Sequence, residues 1–494
     1  MEIRKTLLFG LVIMGLMSCS SSHDLPDKPV VIKEGPNMKV AVELPLSSSS
    51  RSDTHTDEVG TESENTAKNV LIALYDTNNQ FVTSFEQRLI NTNPGVYNTE
   101  TFIAEGIDLN ARYKTYLFVN PYPGLRTSLV GSEIVNNTLP TLSTAEATLA
   151  QITKTDEFFM STANAVELIE VKETATNKAT PYHVKANVER ASARFDFLST
   201  QDDNMYTISR EGENKVEIIM REAKLINLSR SLYNLRRTNE SGEVGGDISL
   251  GGTETNMNYV VDTDWDKKTL TSDHWSSLFF SPLVGSKNFL ENKYTLLATA
   301  PNESKRISYA TENTIPKSNG NKKGLATAVV FRGDIVFNLA DFGVTSNEPI
   351  YVWNNTLYGV FDRLPPGVKA QLSGNGANST NEEFVAAGVN RYVYNKELKG
   401  YPVYYVYYNK HNITDLDKKE TGPMEFAVVR NNVYRLSVSA VKVFGHPNDP
   451  ENPIQDHPDI DPEDPNNPSK DEKIYMDVTC KVLPWTVRRN TIEF

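Results

Sequence analysis

The chain of 494 residues is poor in the residue types from which disulfide frameworks, metal sites and many active sites are built. It has only two cysteines, seven histidines and four tryptophans. Two cysteines at opposite ends of a chain do not form a disulfide framework. The histidines are scattered without metal-ligand spacing, and neither a nucleophile elbow nor a phosphate-binding loop occurs. We therefore expect no catalytic residues, no cofactor and no metal site.

Positive charge is also in deficit, because 50 Lys and Arg residues stand against 63 Asp and Glu residues, a formal net charge of -13. This balance argues against a surface that binds nucleic acid or anionic membranes. The abundant Thr, Asn, Ser, Val and Tyr favour β-structure instead.

The first residues have the features of an export signal. Arg4 and Lys5 precede an apolar stretch, Leu7 to Met17, that is too short for a transmembrane helix. The stretch ends in "LMSC", which resembles the cleavage site of a bacterial lipoprotein and predicts acylation of Cys19. An ordinary secretory signal that ends near a cysteine is the alternative, and Met17 stands where lipoprotein signals usually have a smaller residue.

A predicted strand, Asn37 to Leu46, is followed by a Ser-rich loop that contains Arg51. Apolar and other residues alternate along the strand, which indicates that one face is buried. Pro45, near its end and on the outer face, is tolerable in an edge strand. The polar loop after it is suited to proteolysis. The apolar face comprises Met38, Val40, Val42, Leu44 and Leu46.

Most of the remaining chain consists of β-branched and aromatic runs separated by Gly, Asn, Asp and Pro, which predicts antiparallel β-sandwiches. One helix is expected over Thr144 to Thr153, where Ser143 and Glu146 have capping-box spacing. The run "YPVYYVYY", Tyr401 to Tyr408, favours strand packing over an exposed aromatic platform for glycans.

The C-terminal region pairs a linker with a strand. Residues 446–472 contain seven prolines and nine acidic residues, a composition that forms no core and extends to about 80 Å at about 3.1 Å per residue. A calcium loop is the alternative, but the EF-hand spacing is absent. The strand that follows, within residues 473–494, is expected to be undocked before assembly. Its proposed inner residues are Met476, Val478, Cys480 and Val482, with Trp485 as an aromatic plug or a core residue.

These two strands have the same alternating pattern, so either one suits the same kind of groove. Cleavage between Arg51 and Ser52 would remove the first strand and leave an open sheet edge, which favours pairing with another chain. The C-terminal strand of a neighbouring molecule would fill this edge by β-augmentation. Because such head-to-tail contacts do not close, they would build a filament.

Several motifs in order along the chain resemble the Bacteroidetes type V pilins, and in particular the subunits that form the shaft of the minor, or short, fimbriae. They are the lipoprotein start, the strand with its Arg loop, "VERASAR" (Val188 to Arg194), "VVRNNVYRLSV" (Val428 to Val438), the Asp/Pro/Asn-rich linker and "VTCKVLPW" (Val478 to Trp485). The resemblance covers nearly the whole chain, and it is loose over residues 211–410.

The resemblance implies an all-β fold of two tandem transthyretin-like β-sandwich domains with an extended C-terminal donor strand. It also implies maturation by an Arg-specific protease, adhesion and biofilm formation. The expected partners are identical subunits, accessory and anchor fimbrial proteins, and host or bacterial surface receptors, with membrane contact only through the precursor lipid. The implied regions are a signal peptide (1–19), a propeptide (20–51), two domains (52–190 and 191–445), the linker (446–472) and the donor strand (473–494).

Two other functions are consistent with the sequence. An anchor, accessory or tip subunit would lack either the cleavable Arg loop or the donor strand. A glycan-binding surface lipoprotein that does not polymerise would keep its first strand and its lipid.

Overall fold

The computed structural model describes residues 36–43, 58–93, 96–132, 141–142, 145–162, 168–171, 178–209, 212–238, 243–244, 259–269, 279–280, 294–316, 323–345, 347–372, 374–411, 423–447 and 476–486. The predicted signal peptide, the Arg51 loop and most of the acidic linker lie outside these residues.

The described residues up to position 190 are organised around one large β-sheet. Its strand order is β4-β3-β8-β12-β14-β1-β6-β5, with β13 paired to β8 and β7 paired to β1. In chain order the strands are β1 (Asn37–Glu43), β2 (Glu58–Val59), β3 (Asn69–Tyr75), β4 (Phe81–Arg88), β5 (Ile90–Asn93), β6 (Val96–Asn98), β7 (Phe102–Ile103), β8 (Arg112–Val119), β9 (Thr141–Leu142), β10 (Thr153–Lys154), β11 (Glu157–Phe158), β12 (Met160–Thr162), β13 (Leu168–Glu170) and β14 (Tyr182–Arg190).

This sheet folds over on itself into a sandwich. Val70 and Leu117, from β3 and β8, share one apolar core with Val40 and Val184, from β1 and β14. The other face of β3 is buried as well, because Leu71 belongs to a second core with Leu125 and Leu129. The near-continuous apolar sequence of β3 follows from this burial on both faces.

Two further sheets of comparable size are formed by described residues after position 190, joined in the first sheet by β2 from the N-terminal part of the chain. Their strand orders are β2-β31-β30-β15-β24 and β16-β17-β25-β29, and β23 is paired to β17. The remaining small sheets are β10-β11, β18-β22, β19-β9, β20-β21 and β27-β26-β28. The strands are β15 (Ala193–Leu198), β16 (Met205–Thr207), β17 (Val216–Ile226), β18 (Leu228–Ser229), β19 (Leu232–Tyr233), β20 (Arg237–Thr238), β21 (Glu243–Val244), β22 (Phe279–Phe280), β23 (Thr295–Leu296), β24 (Ser304–Ala310), β25 (Ala328–Phe337), β26 (Ile350–Trp353), β27 (Thr356–Gly359), β28 (Val389–Tyr392), β29 (Pro402–Tyr408), β30 (Asn432–Val441) and β31 (Met476–Thr486).

The two larger sheets of this region face each other across the most extensive core. Phe195 and Leu436, from β15 and β30, belong to the same apolar cluster as Phe331 and Tyr405, from β25 and β29. The Phe195 ring also stacks on the Tyr434 ring, with centroids 4.8 Å apart. The predicted all-β fold with sandwiches in tandem is therefore confirmed.

The helices of the described residues are short: α1 (Glu62–Asn65), α2 (Leu125–Leu129), α3 (Ala145–Ile152), α4 (Pro366–Gln371) and α5 (Asn381–Ala386). The helix predicted at Thr144 to Thr153 is confirmed as α3, whereas its predicted cap, Ser143, lies outside the described residues. None of these helices has both the length and the hydrophobicity needed to cross a lipid bilayer.

The tyrosine-rich run is a core strand. All five of its tyrosines are at most 8% exposed, and they divide between two apolar cores on opposite faces of β29. The predicted packing role is confirmed, and no aromatic platform is open at this strand.

Candidate functional site

The first candidate element, β1, is an interior strand. It pairs in parallel with β14, from Met38 opposite Tyr182 to Glu43 opposite Asn187. Its other edge pairs antiparallel with β6 and β7. Between these two short strands, Thr99 completes the edge, since its hydroxyl accepts from the Val40 amide at 3.0 Å and its amide donates to the Val40 carbonyl at 2.9 Å.

β1 is therefore not an edge strand, the position in which Pro45 would be tolerated. The described strand ends at Glu43, before that residue. Removal of β1 opens a groove with two unpaired edges, β14 on one side and β6 with β7 on the other. We call this space the β1 groove.

The buried face of β1 is as predicted over its described length. Met38, Val40 and Val42 are 0% exposed, and Lys39 and Ala41 between them are partly exposed. Burial of each such apolar side chain contributes about 1.5–3 kcal/mol. Loss of β1 would therefore uncover apolar surface in the middle of the N-terminal core.

The other predicted site residues near the N-terminus lie outside the described residues. They are Cys19, Leu44, Leu46, Arg51 and Ser52. Lipidation and cleavage stay predictions.

The second candidate element, β31, pairs antiparallel with β30, from Asn432 opposite Pro484 to Val441 opposite Met476. The expectation of an undocked C-terminal strand is wrong. It considered the linker alone, whereas β30 offers a sheet edge on which this strand docks in its own chain.

The register of this pair sets the four predicted inner residues of β31 opposite buried residues of β30. These β30 partners are 0–5% exposed. The pairs are Met476 with Val441, Val478 with Val438, Cys480 with Leu436 and Val482 with Tyr434.

The end of β31 has a second partner. Trp485 and Thr486 pair in parallel with Glu58 and Val59, the two residues of β2. Along residues 476–484, no strand in the described part of the chain pairs with the edge of β31 that lies opposite β30. The structure does not bring β1 and β31 together, since each completes a different sandwich.

A buried ionic cluster joins the two halves of the chain. Glu64, in α1, is 1% exposed and accepts hydrogen bonds from Arg194 Nη1 at 2.9 Å and from the Tyr309 hydroxyl at 2.6 Å. Arg194 also contacts both carboxylate oxygens of Asp196, at 3.0 and 2.9 Å. A Thr61 capping box orients Glu64, because the Thr61 amide donates to its carboxylate at 2.7 Å.

Arg190 extends this cluster to the turn before β30. Its Nε donates to the Glu64 carbonyl at 3.1 Å, its Nη1 donates to Asn431 Oδ1 at 3.3 Å, and its Nη2 donates to Asn65 Oδ1. Asn431 has a φ of 55°, a left-handed conformation that asparagine tolerates, and its amide donates to the Ser192 carbonyl at 2.9 Å. The motifs "VERASAR" and "VVRNNVYRLSV" therefore meet at the junction of the two sandwiches.

The cluster fixes the charge states of its members. Burial alone would raise the pKa of Glu64, but the Arg194 guanidinium and the Tyr309 hydroxyl outweigh burial and hold this pKa below its ordinary value of 4.5. Burial lowers the pKa of Arg190 to about 10, and Glu64 opposes that shift. Both groups are therefore charged at neutral pH.

Several residues at these sites could not be identified from the sequence pattern that predicts the strands. Glu64 follows Thr61 with capping-box spacing, a signal that was available, but its buried partners come from distant strands. No local sequence pattern marks Thr99, Glu58 or Val59 as part of these sites. In the described part of the chain, no group of three or more His, Cys, Asp or Glu residues is placed to hold a metal ion.

The C-terminal region matches a known family. Residues 399–491 match the family model described as "Major fimbrial subunit protein type IV, Fimbrillin, C-terminal". This match includes β29, β30 and β31, and over these residues it agrees with the fimbrial resemblance predicted from the sequence. Among curated proteins, no sequence matches the chain.

Solved structures with similarity to the chain include fimbrial proteins. A fimbrillin from Porphyromonas gingivalis is 15% identical, with a TM-score of 0.39, over 92% of this chain and 98% of that one. The tip fimbrial protein Mfa3 from P. gingivalis, truncated at its C-terminus, is 11% identical, with a TM-score of 0.35, over 91% and 100%. A fimbrial assembly protein from Parabacteroides distasonis is 9% identical, with a TM-score of 0.27, over 61% and 98%. At these low scores, function has to be argued from the residues of this chain.

We predict that Glu64→Gln, which keeps the size and removes the charge, lowers the free energy of unfolding by about 1.5–3 kcal/mol at pH 7. Because the folded-state pKa of Glu64 is lowered, its stabilisation is complete above pH 4.5 and is lost as the pH falls through the folded-state value. The difference from wild type should therefore shrink at pH 3, as measured by urea unfolding.

The exposed Glu86 provides the matched control. Glu86→Gln should change the free energy of unfolding by less than about 0.5 kcal/mol. A Glu64→Gln effect that is absent at pH 7, or equal at pH 3 and pH 7, would contradict the assigned role of this carboxylate.

Proposed function

We propose, from a C-terminal region that matches the fimbrillin family model, that this chain is the structural shaft subunit of a cell-surface fimbria. The observation that carries the proposal is an interior strand, β1, that precedes the predicted cleavage site at Arg51. When a strand that is paired on both edges is cut away, an open groove remains. A second strand with the same alternating pattern, β31, lies in the C-terminal region.

The first step is export and maturation. The precursor loses its signal peptide and is held at the outer membrane by lipid on Cys19. An Arg-specific protease then cuts between Arg51 and Ser52. Cys19 with its lipid and residues 20–51, including β1, are lost, and the β1 groove opens.

The second step is strand donation by a neighbouring subunit. Its β31 enters the β1 groove with Met476, Val478, Cys480 and Val482 directed to the core and Trp485 at the groove end. The linker 446–472 has a reach of about 80 Å in extended form, which is ample to span between adjacent subunits. Repetition of this contact gives a head-to-tail filament.

The pairing geometry favours donation over retention. In its own chain, β31 pairs along one edge with β30 and along the other edge with only the two residues of β2. In the β1 groove, both edges offer hydrogen-bond partners. Each additional backbone hydrogen bond contributes about 0.5–1.5 kcal/mol, and these gains must exceed the entropy cost of association.

The filament would serve adhesion and biofilm formation. Its other partners would be accessory and anchor fimbrial proteins and receptors on host or bacterial surfaces. Neither nucleic acid nor a metal has a part in this mechanism.

Treatment of the purified precursor with an Arg-specific protease should give a new N-terminus at Ser52, read by N-terminal sequencing. An unboiled SDS gel should then show a ladder of oligomers, because strand exchange resists detergent. Deletion of Tyr475 to Phe494 should abolish the ladder and leave cleavage unchanged. A cut product that is strictly monomeric would favour a surface lipoprotein that does not polymerise.

Two adjacent substitutions in β31 separate strand insertion from general effects of charge. Val478→Asp places a carboxylate on the predicted core side and should reduce the ladder at least about tenfold, because an unpaired buried charge is strongly unfavourable. Thr479→Asp adds the same charge on the opposite face and should leave the ladder largely intact. Equal effects of the two changes in a quantified gel would count against insertion of this face.

A further inference from the structure

A second buried ionic cluster lies in the part of the chain after position 190. Lys268, in the short 3-10 helix Trp265–Thr269, forms ion pairs with the carboxylates of Asp262 and Asp264. The Lys268 side chain is 0% exposed, and the two aspartate side chains are 1% and 4% exposed. Lysine and aspartate are almost never enclosed to this degree, so the cluster calls for a physical explanation.

The cluster has one amine for two carboxyl groups. Burial and the neighbouring Asp264 carboxylate raise the pKa of Asp262 well above its ordinary value of 3.8. Burial opposes the charge on Lys268, but the two carboxylates outweigh burial and raise its pKa. The resting cluster therefore holds a neutral Asp262 acid, an Asp264 carboxylate and a Lys268 ammonium. This combination has no net charge, which limits the cost of burying it.

The backbone of Thr314 holds the Asp262 carboxyl in a fixed orientation. The Thr314 amide donates to Asp262 Oδ2 at 2.8 Å, and the Asp262 amide donates to the Thr314 hydroxyl at 3.2 Å. Lys268 Nζ contacts the same Oδ2 and also donates to the Thr314 carbonyl. Asp262 Oδ1 is buried and accepts no hydrogen bond from the described residues, so it is the oxygen suited to carry the proton. An amine, a carboxylic acid and a polarising N–H are thus in contact.

We propose that Lys268 and Asp262 condense to an intramolecular isopeptide bond, with Asp264 moving the protons. Asp264 takes a proton from the ammonium, and the Nζ lone pair attacks Asp262 Cγ. The Thr314 amide stabilises the negative charge that develops on Oδ2. Asp264 passes its proton to Oδ1, the Cγ–Oδ1 bond breaks and one water leaves. Asp264 then takes the second proton from Nζ, which leaves a neutral amide beside a protonated Asp264.

Enclosure favours this condensation over a permanent ion pair. The reaction removes the buried ammonium and carboxylate, whose loss of hydration is costly. Groups held in reactive geometry behave as if at concentrations of about 10⁵–10⁸ M. The bond closes residues 262–268 into a covalent loop directly after Val260, which packs with Met424 and Val429 before β30. It forms within one subunit, so this inference is independent of the proposed function.

Mass spectrometry of the purified precursor after trypsin digestion tests the proposal. Trypsin cuts after Arg237, Lys267 and Lys287, but not after Lys268 once its amine is in an amide bond. Residues 238–267 and 268–287 should therefore be recovered as one branched peptide. Its mass should be lower by one water than the sum of the two separate peptides. Recovery of unlinked peptides alone would overturn the proposal, and this result needs no variant that folds.

Two substitutions test the role of Asp264. Asp264→Asn keeps the size and removes the proton acceptor, so the yield of branched peptide should fall at least about tenfold. Asp266→Asn makes the same change at an exposed position of the same segment and should leave the yield unchanged. Fragment ions should place the bond at Asp262. A bond at Asp266, or equal yields from the two variants, would contradict the assigned chemistry.

Discussion

The N-terminal sandwich depends on one strand that lies close to the start of the chain. Both edges of β1 are paired, and Met38, Val40 and Val42 are fully buried. A strand in this position cannot be lost without a replacement, because its removal exposes apolar core and two rows of backbone groups at once. In the proposed function, this constraint would make cleavage after Arg51 a means of creating a binding site.

The C-terminal strand has fewer pairing partners than β1, and in the proposed function this asymmetry would give assembly its direction. In its own chain β31 extends the edge of one sheet, whereas the β1 groove has partners on both sides. The Glu64 cluster lies between the two sandwiches and joins α1 to the turn before β30. Subunits linked in this way would have internally fixed donor and acceptor regions, with the acidic linker as the adaptable part.

The buried face of a strand could be predicted from the sequence, whereas the strands that pair with it could not. The alternation of apolar and other residues predicted which residues of β1 are buried. The aromatic run of β29 predicted a strand that packs in the core. The same alternation carries no information about which strands pair with each other, so the interior position of β1 was not predicted and β31 was wrongly expected to be undocked. The partners of Glu64 were beyond prediction for the same reason, since Arg194 and Tyr309 reach it only through the tertiary fold.

The most direct measurement mixes two chains that are each unable to polymerise. One is the Arg51→Ala precursor, which keeps its donor strand and its filled groove. The other is precursor cut after Arg51 and lacking residues 475–494, which has an open groove and no donor. Donor-strand exchange predicts an SDS-resistant heterodimer with one copy of each, and none when the second chain is left uncut. A mixture that stays monomeric, or a heterodimer that forms equally with the uncut chain, would contradict the account.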